Sequence, residues 1–293
     1  MGRSADFCVN AYAKINLGLD VLRKREDGYH EVRMIMQTVR LHDRIWLRRR
    51  REPGICLESN LSFLPVDKSN LAYRAAALVM EEAGIREGLS IYLDKRIPVA
   101  AGMAGGSADC AAVLWGVNRI YRLGLSMEQL RERGVKLGAD VPYCLLGGTA
   151  LAEGIGERLT PLPPAPGKWI LIAKPSIGLS TRYIYEHLRL DEKTDHPDID
   201  GMEQAIRRKD YMGIVSRLGN VLESAALPGH PPIGKLKQAL LAGGARGALM
   251  SGSGPTVFGF FDDIRQAKRT ASLCCKQKLA RQVFVTEFYH RKT

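Results

Sequence analysis

The stretch from Pro98 to Ala112, PVAAGMAGGSADCAA, constrains this chain more than any other segment, because it sets Gly102, Gly105, Gly106 and Ser107 directly ahead of an alanine-rich apolar run. A turn so rich in glycine at a helix start suits an anion. The first N–H groups of a helix lack internal partners, and the aligned peptide dipoles add partial positive charge there. Missing Cβ atoms then let the backbone close on phosphate oxygens. The same pattern also describes a tight turn into an ordinary buried helix, so the loop alone leaves both readings open. It is not a Walker loop, since Gly102 to Ser107 contains no lysine, and Gly102-Met103-Ala104-Gly105-Gly106 lacks the spacing of a dinucleotide fingerprint. A phosphate held here takes its cation from elsewhere in the chain.

At 293 residues the chain is long enough for one large or two modest domains, and 45% apolar with 25% charged residues excludes a disordered chain. Its formal net charge of +12 suits an anionic ligand, nucleic acid or plain solubility equally. Six cysteines (Cys8, Cys56, Cys110, Cys144, Cys274 and Cys275) form no C-x-x-C pair, and no signal-like start precedes them, so reduced thiols in a cytoplasmic protein are expected. Met1-Gly2 is not followed by Ser or Thr at position 6, and no apolar run approaches membrane-spanning length.

From Cys8 to Val21 the residues alternate, with Ile15, Leu17, Leu19 and Val21 on one face and Lys14, Asn16, Gly18 and Asp20 on the other; this predicts a half-buried strand. Asp27-Gly28 marks a hairpin turn, and 32–39 and 43–50 read as two further strands of an antiparallel meander. Ser69 is the expected cap of a helix over 71–83, a short strand follows at 89–93, and the glycine-rich loop leads into a helix reaching Tyr121. Ser126 with Gln129 forms a capping box for a helix that ends at Gly138. PLPPAPG at 161–167 breaks all periodicity and reads as a linker, which predicts two α+β domains, 1–163 and 164–293. Beyond it the pattern gives a strand at 169–173 and helices near 181–188, 202–207, 211–224 and 233–242. Strands near 247–250 and 256–261, a helix at 263–280 and a strand at 282–289 complete the chain.

Three further places carry chemistry. Lys14 and Asn16 lie side by side on the polar face of the first strand; a buried Lys14 would need an anionic neighbour, a solvated one would simply snorkel. In Gly138-Ala139-Asp140-Val141-Pro142 the aspartate follows a helix-ending glycine, where a plain cap or turn role competes with a chemical one. Ser251-Gly252-Ser253-Gly254-Pro255 joins two apolar strands through a loop able to approach another backbone closely.

The ordered set A-K-I-N-L, P-x-x-x-G-x-x-G-G-S, G-A-D-V-P and S-G-S-G-P resembles the GHMP family of small-molecule kinases over nearly the whole chain. Asp27-Gly28-Tyr29-His30, Ala152-Glu153-Gly154-Ile155-Gly156-Glu157 and Met250-Ser251-Gly252-Ser253-Gly254-Pro255-Thr256 narrow the likeness to the branch acting on a cytidine diphosphate conjugate of methylerythritol. The resemblance implies an N-terminal domain like that of ribosomal protein S5, a ferredoxin-like C-terminal domain and an active site between them. The implied activity is ATP-dependent phosphorylation of a tertiary hydroxyl, for non-mevalonate isoprenoid synthesis.

By the same resemblance Asp140 accepts the hydroxyl proton and Lys14 offsets charge on the phosphate and substrate oxygen. Pro98, Val99, Ala100, Ala101, Gly102, Met103, Ala104, Gly105, Gly106, Ser107 and Ala108 form the ATP loop, with Asn70 near adenine. No residue is assigned outright to magnesium, though the Ser107 hydroxyl could reach it. Asn16, Tyr29, His30, Thr181 and Tyr185 belong to the substrate, with Tyr29 and His30 meeting the cytosine and Tyr185 closing an aromatic sandwich on it. Alanine at 104 and 108 and methionine at 103 depart from the glycine, serine and leucine common in the family. Kinases of mevalonate, homoserine or sugars have no base to stack, which sets them apart from this pattern. The run Arg48-Arg49-Arg50-Arg51 reads as a solvated strand end, so no nucleic-acid or membrane partner is expected, and oligomeric state is left open by the sequence.

Overall fold

The computed structural model describes residues 6–290, so the Met1-Gly2 start lies outside the described residues. In chain order the elements are β1 (Phe7–Lys24), β2 (His30–Arg50), β3 (Ile55–Ser59), α1 (Leu71–Glu82), β4 (Gly88–Asp94), α2 (Gly105–Ile120), α3 (Met127–Leu137), α4 (Val141–Leu146), β5 (Thr149–Gly154) and β6 (Arg158–Leu162). They continue with β7 (Trp169–Lys174), α5 (Thr181–His187), α6 (Ile199–Arg207), α7 (Tyr211–Val215), β8 (Gly219–Asn220), α8 (Glu223–Ala226), α9 (Pro231–Ala242), β9 (Gly247–Met250), β10 (Val257–Phe261), α10 (Ile264–Lys276) and β11 (Gln282–Thr286). Two compact units result, and neither is one continuous piece of chain. Residues 6–13, 41–99 and 104–146 form the first, and 14–40, 100–103 and 147–290 the second.

In the first unit β3 runs parallel to β4, and β4 pairs antiparallel with the second half of β2, Ile45 opposite Leu93 and Leu47 opposite Ile91. These strands are rich in β-branched and leucine residues at alternate positions, and Ile45, Leu47, Leu89 and Ile91 are fully buried. The alanine-rich helix α2 lies close on that sheet because Gly116 faces Leu47, whose Cδ1 would be 2.3 Å from an added Cβ. Ser126 accepts from the Gln129 N–H at 3.2 Å while Gln129 Oε1 accepts from the Ser126 N–H at 2.9 Å, so the predicted capping box of α3 is present.

In the second unit β7, β9, β10 and β11 form an antiparallel sheet in the order β11-β7-β10-β9, with α9 before β9 and α10 before β11. That β-α-β-β-α-β order is ferredoxin-like. Phe258 and Phe260 on β10, Ile170 and Ile172 on β7, and Leu236 and Leu240 on α9 are fully or almost fully buried. The first half of β2 pairs with β5, and β5 with β6.

Several sequence expectations change. β2 is one strand of 21 residues, where the charged stretch Arg40-Leu41-His42-Asp43 suggested a break. β1 is buried on both faces rather than half-buried, since Lys14, Asn16 and Asp20 are 5%, 0% and 6% exposed. Its polar face is covered: Ile199 Cδ1 of α6 would stand 2.7 Å from a Cβ on Gly18, and His196 Nδ1 lies 2.7 Å from Asp20 Oδ1. Asn70, not Ser69, caps α1. The helix expected over 211–224 is interrupted at Gly219-Asn220, where β8 pairs parallel with Gly18-Leu19. Pro161 and Leu162 of the expected linker belong to β6, and Ala165 is buried with its N–H donating to Thr149 Oγ1 at 3.1 Å.

Candidate active site

The loop before α2 bends through the left-handed region three times, at Ala100 (φ 49°), Gly102 (φ 69°) and Ala104 (φ 56°). Such alternation turns successive N–H groups to one side and favours an anion. Ala104 is the residue preceding α2 and offers no capping side chain, whereas Asn70, Ser126, Ser180, Asp198 and Asp263 cap their own helices. The start of α2 is therefore left to another partner.

Within the first unit, Gly106 is exposed, and a Cβ there would meet only Leu71 Cδ1, at an ordinary 3.7 Å. Gly105 is different, since its Cβ would come 3.1 Å from Ile97 Cγ2 and 3.5 Å from Lys95 Nζ. Ser107 stands in the first turn of α2, and Gly138 faces it, a Cβ at 138 reaching 4.0 Å from Ser107 Oγ. Asp140 directly precedes α4, and its carbonyl accepts from the Cys144 N–H at 3.1 Å. Pro98 and Ala108 are buried, and Val99 is exposed. Asn70 Oδ1 accepts from the Ala72 N–H at 2.9 Å and its Nδ2 donates to Pro65 O at 2.7 Å, so both ends of that side chain serve the turn before α1.

Below α2 lies a cluster that sequence reasoning missed. Lys95 Nζ donates to Asp43 Oδ2 and, at 2.5 Å, to Asp109 Oδ2, and all three residues are buried. Burial works against the Lys95 ammonium, but Asp109 and Asp43 outweigh it and its pKa rises. Burial pushes the Asp109 carboxyl upward against the pull of Lys95, and Asp43 adds to the rise. The available signal was an aspartate inside the otherwise apolar run Ala108-Asp109-Cys110-Ala111-Ala112.

Within the second unit, Lys14 Nζ donates to Asn16 Oδ1 at 2.7 Å, and the Lys14 N–H donates to Met103 O at 3.2 Å. Ala101 and Met103 are buried, so their side chains serve packing. Ser251 Oγ donates to Gly102 O at 3.0 Å, and a Cβ on Gly102 would fall 2.0 Å from Ser251 O. At Gly252 a Cβ would stand 3.4 Å from Lys14 Nζ. Asn220, which no motif in the chain singles out, holds this loop by donating to Met250 O and Gly252 O, each at 2.8 Å.

Also in the second unit, the rings of His30 and Tyr185 lie 4.9 Å apart and tilted by 38°. Rings already in contact leave no room for a third between them. Tyr29 is 59% exposed, its N–H held by Asp27 Oδ1 at 3.1 Å. Burial, with Lys24 nearby, holds the His30 imidazole below its ordinary value. Tyr185 is half-buried, while its neighbour Ile184 takes the core position. Thr181 Oγ1 and Ser253 Oγ share a hydrogen bond of 2.8 Å.

The family of GHMP kinases N terminal domains matches residues 70–148, and that of GHMP kinases C terminal domains matches 198–277. A 4-diphosphocytidyl-2-C-methyl-D-erythritol kinase of Lachnoclostridium phytofermentans is 52% identical over 97% of this chain and 98% of its own length. The chain belongs to the GHMP kinase family. It is a small-molecule kinase. A relative from Listeria monocytogenes with the same name is 49% identical, over 89% of both chains. A solved 4-(cytidine 5'-diphospho)-2C-methyl-D-erythritol kinase superposes with a TM-score of 0.82 at 33% identity, covering 97% of this chain and all of that one. A homoserine kinase from Cytophaga hutchinsonii, at 19% identity and a TM-score of 0.73 over 98% of this chain and 95% of its own, shares the GHMP fold. Among the described residues no helix is long and apolar enough to cross a membrane.

Proposed function

We propose that this GHMP kinase transfers the γ-phosphoryl group of ATP to the 2-hydroxyl of 4-diphosphocytidyl-2-C-methyl-D-erythritol, in cytoplasmic isoprenoid precursor synthesis. The observation that carries this reading is 52% identity, end to end, to a relative bearing that substrate in its name. In this reading 1–163 supplies the ATP loop and 164–293 completes the kinase, although 14–40, 100–103 and 147–163 pack with the second compact unit, so the division does not fall at a single point in the chain.

Phosphoryl transfer asks chiefly for alignment and for neutralisation of charge on the transferred group. The uncapped amides of Gly105 and Gly106 and the Ser107 hydroxyl hold the triphosphate, and Asp140 orients the acceptor hydroxyl and takes its proton. Lys14, oriented by Asn16, offsets charge on the phosphoryl and acceptor oxygens. Asn16 is fully buried and engaged with Lys14, so it acts on the substrate through that lysine. Asn70 sits beside adenine through its backbone, since its side chain is spent as a cap. Tyr29, exposed, and Tyr185 take the two faces of the cytosine while His30 meets its edge, with Thr181 beside them.

Among the described residues no group of three or more His, Cys, Asp or Glu could hold a metal ion. A magnesium ion carried by the triphosphate fits that donor set, because Mg²⁺ keeps waters and phosphate oxygens and needs only one or two protein ligands. Ser107 would be that ligand, and the metal would neutralise phosphate charge.

An ATP-consumption assay with the cytidine diphosphate methylerythritol, mevalonate, homoserine and galactose tests the assignment. Turnover with the first alone is expected, and preferential turnover of any other would overturn it.

A further inference from the structure

Resting on the assignment of ATP to the start of α2, we propose that Lys95, clasped by Asp43 and Asp109, is a positioning residue that fixes both ends of the glycine-rich loop for the nucleotide. The near end is held through Asp43, whose Oδ1 accepts from the N–H groups of Arg96 at 2.5 Å and Ile97 at 2.8 Å, immediately before Pro98. Asn60 holds the same segment, accepting from the Lys95 N–H at 2.8 Å and donating to Lys95 O at 3.1 Å. The far end is held through Asp109, which lies on α2 two residues beyond Ser107 and accepts from Lys95 Nζ. Gly105 closes the arrangement, since a side chain there would crowd Ile97 at 3.1 Å and lie in ordinary contact with Lys95 Nζ at 3.5 Å.

Stability does not explain this cluster. Buried ion pairs are often replaceable by apolar residues at no loss, because desolvation offsets their attraction. Asp109 Oδ1 is moreover buried without a hydrogen-bond partner, which a stability device would avoid. What charge-assisted hydrogen bonds add is direction and a short, fixed spacing. Such fixing is needed here, because α2 lacks the side-chain cap that would otherwise set its first amides. Nor is Lys95 a phosphate cation: its side chain is 3% exposed and engaged by two carboxylates.

The test is steady-state kinetics with Asp109→Ala and Asp109→Asn, each with its thermal midpoint. Alanine unties α2 while leaving Lys95 and Asp43 as a balanced pair; asparagine keeps an acceptor oxygen toward Lys95. Alanine is expected to raise KM for ATP by about tenfold with KM for the acceptor within about twofold, and asparagine to restore ATP KM to within about threefold of wild type. Wild-type ATP KM in Asp109→Ala, or equal rises in both KM values, would overturn the positioning role. If the alanine variant does not fold, Asp43→Asn reads the other carboxylate, because its amide oxygen can still accept from Arg96 and Ile97 while the tie to Lys95 is lost. An ATP KM raised about fivefold supports the inference there, and an unchanged one overturns it. A wild-type protein that uses no ATP on any acceptor would instead overturn the functional assignment itself.

Discussion

At Gly102 an added Cβ would meet Ser251 O at 2.0 Å, whereas at Gly106 it would meet nothing closer than Leu71 Cδ1 at 3.7 Å. The two glycines stand four residues apart in one loop and are absent of side chain for different reasons. Gly102 is demanded by the protein's own backbone, where the Ser251–Gly254 turn presses against it at φ 69°. Among the described residues nothing crowds a Cβ at Gly106. The difference separates a glycine that the packing requires from one that it does not, a distinction invisible in the letters GMAGG.

The most severe loss of function is expected at Asp140, the proposed proton acceptor. Asp140→Asn should lower kcat by about 10²- to 10⁴-fold while leaving ATP KM near wild type, since it removes a proton acceptor and no triphosphate contact. Stopped-flow or coupled assays that find more than about a tenth of wild-type turnover would remove Asp140 from the chemistry. Gly102→Ala should act on folding instead, costing about 3 kcal/mol from left-handed strain plus overpacking, a fall in Tm of roughly 5–10 °C. An unchanged Tm in calorimetry would erase the contrast with Gly106.

Tyr185→Ala sharpens the comparison from the substrate side. Loss of a stacking face should cost about 1–3 kcal/mol of affinity for CDP, with affinity for an ATP analogue unchanged. A core tyrosine would weaken both ligands together and lower Tm, so separate titrations decide. Smallest of all, Ala104→Gly should relieve left-handed strain at φ 56° and stabilise the protein by at most about 1 kcal/mol, read from denaturant midpoints. A destabilised variant would mean that the methyl group packs usefully.

Much of the fold was legible in the residues. The alternation of Cys8–Val21 gave β1, the capping box gave α3, and the spacing of apolar runs beyond residue 168 gave most strands and helices of the C-terminal part, while its ferredoxin-like order came from the family resemblance. What failed was set by tertiary contacts. β5, with the sequence TALAEG, is buried on both faces and so shows no alternation, and β6 carries Pro161. Apolar spacing over 211–224 continued as if helical, yet Gly219 pairs beside Gly18 and Asn220 turns to hold Met250 and Gly252. Of the candidate site, Lys14, Asp140 and the loop were visible through ordered motifs. The Asp43, Lys95 and Asp109 cluster was not, because its members lie up to 66 positions apart and only Asp109, inside an apolar run, stands out from ordinary surface charges.

The central claim is that the open start of α2, at Gly106, receives the triphosphate. Isothermal titration of a non-hydrolysable ATP analogue into Gly106→Val, alongside its thermal midpoint, tests this most directly. A Cβ there meets Leu71 at an ordinary 3.7 Å, so Tm should stay within about 3 °C of wild type. Affinity for the analogue should fall by about 100-fold or more, because the side chain occupies the place where backbone and phosphate meet. Wild-type affinity in a stable Gly106→Val protein would contradict the account.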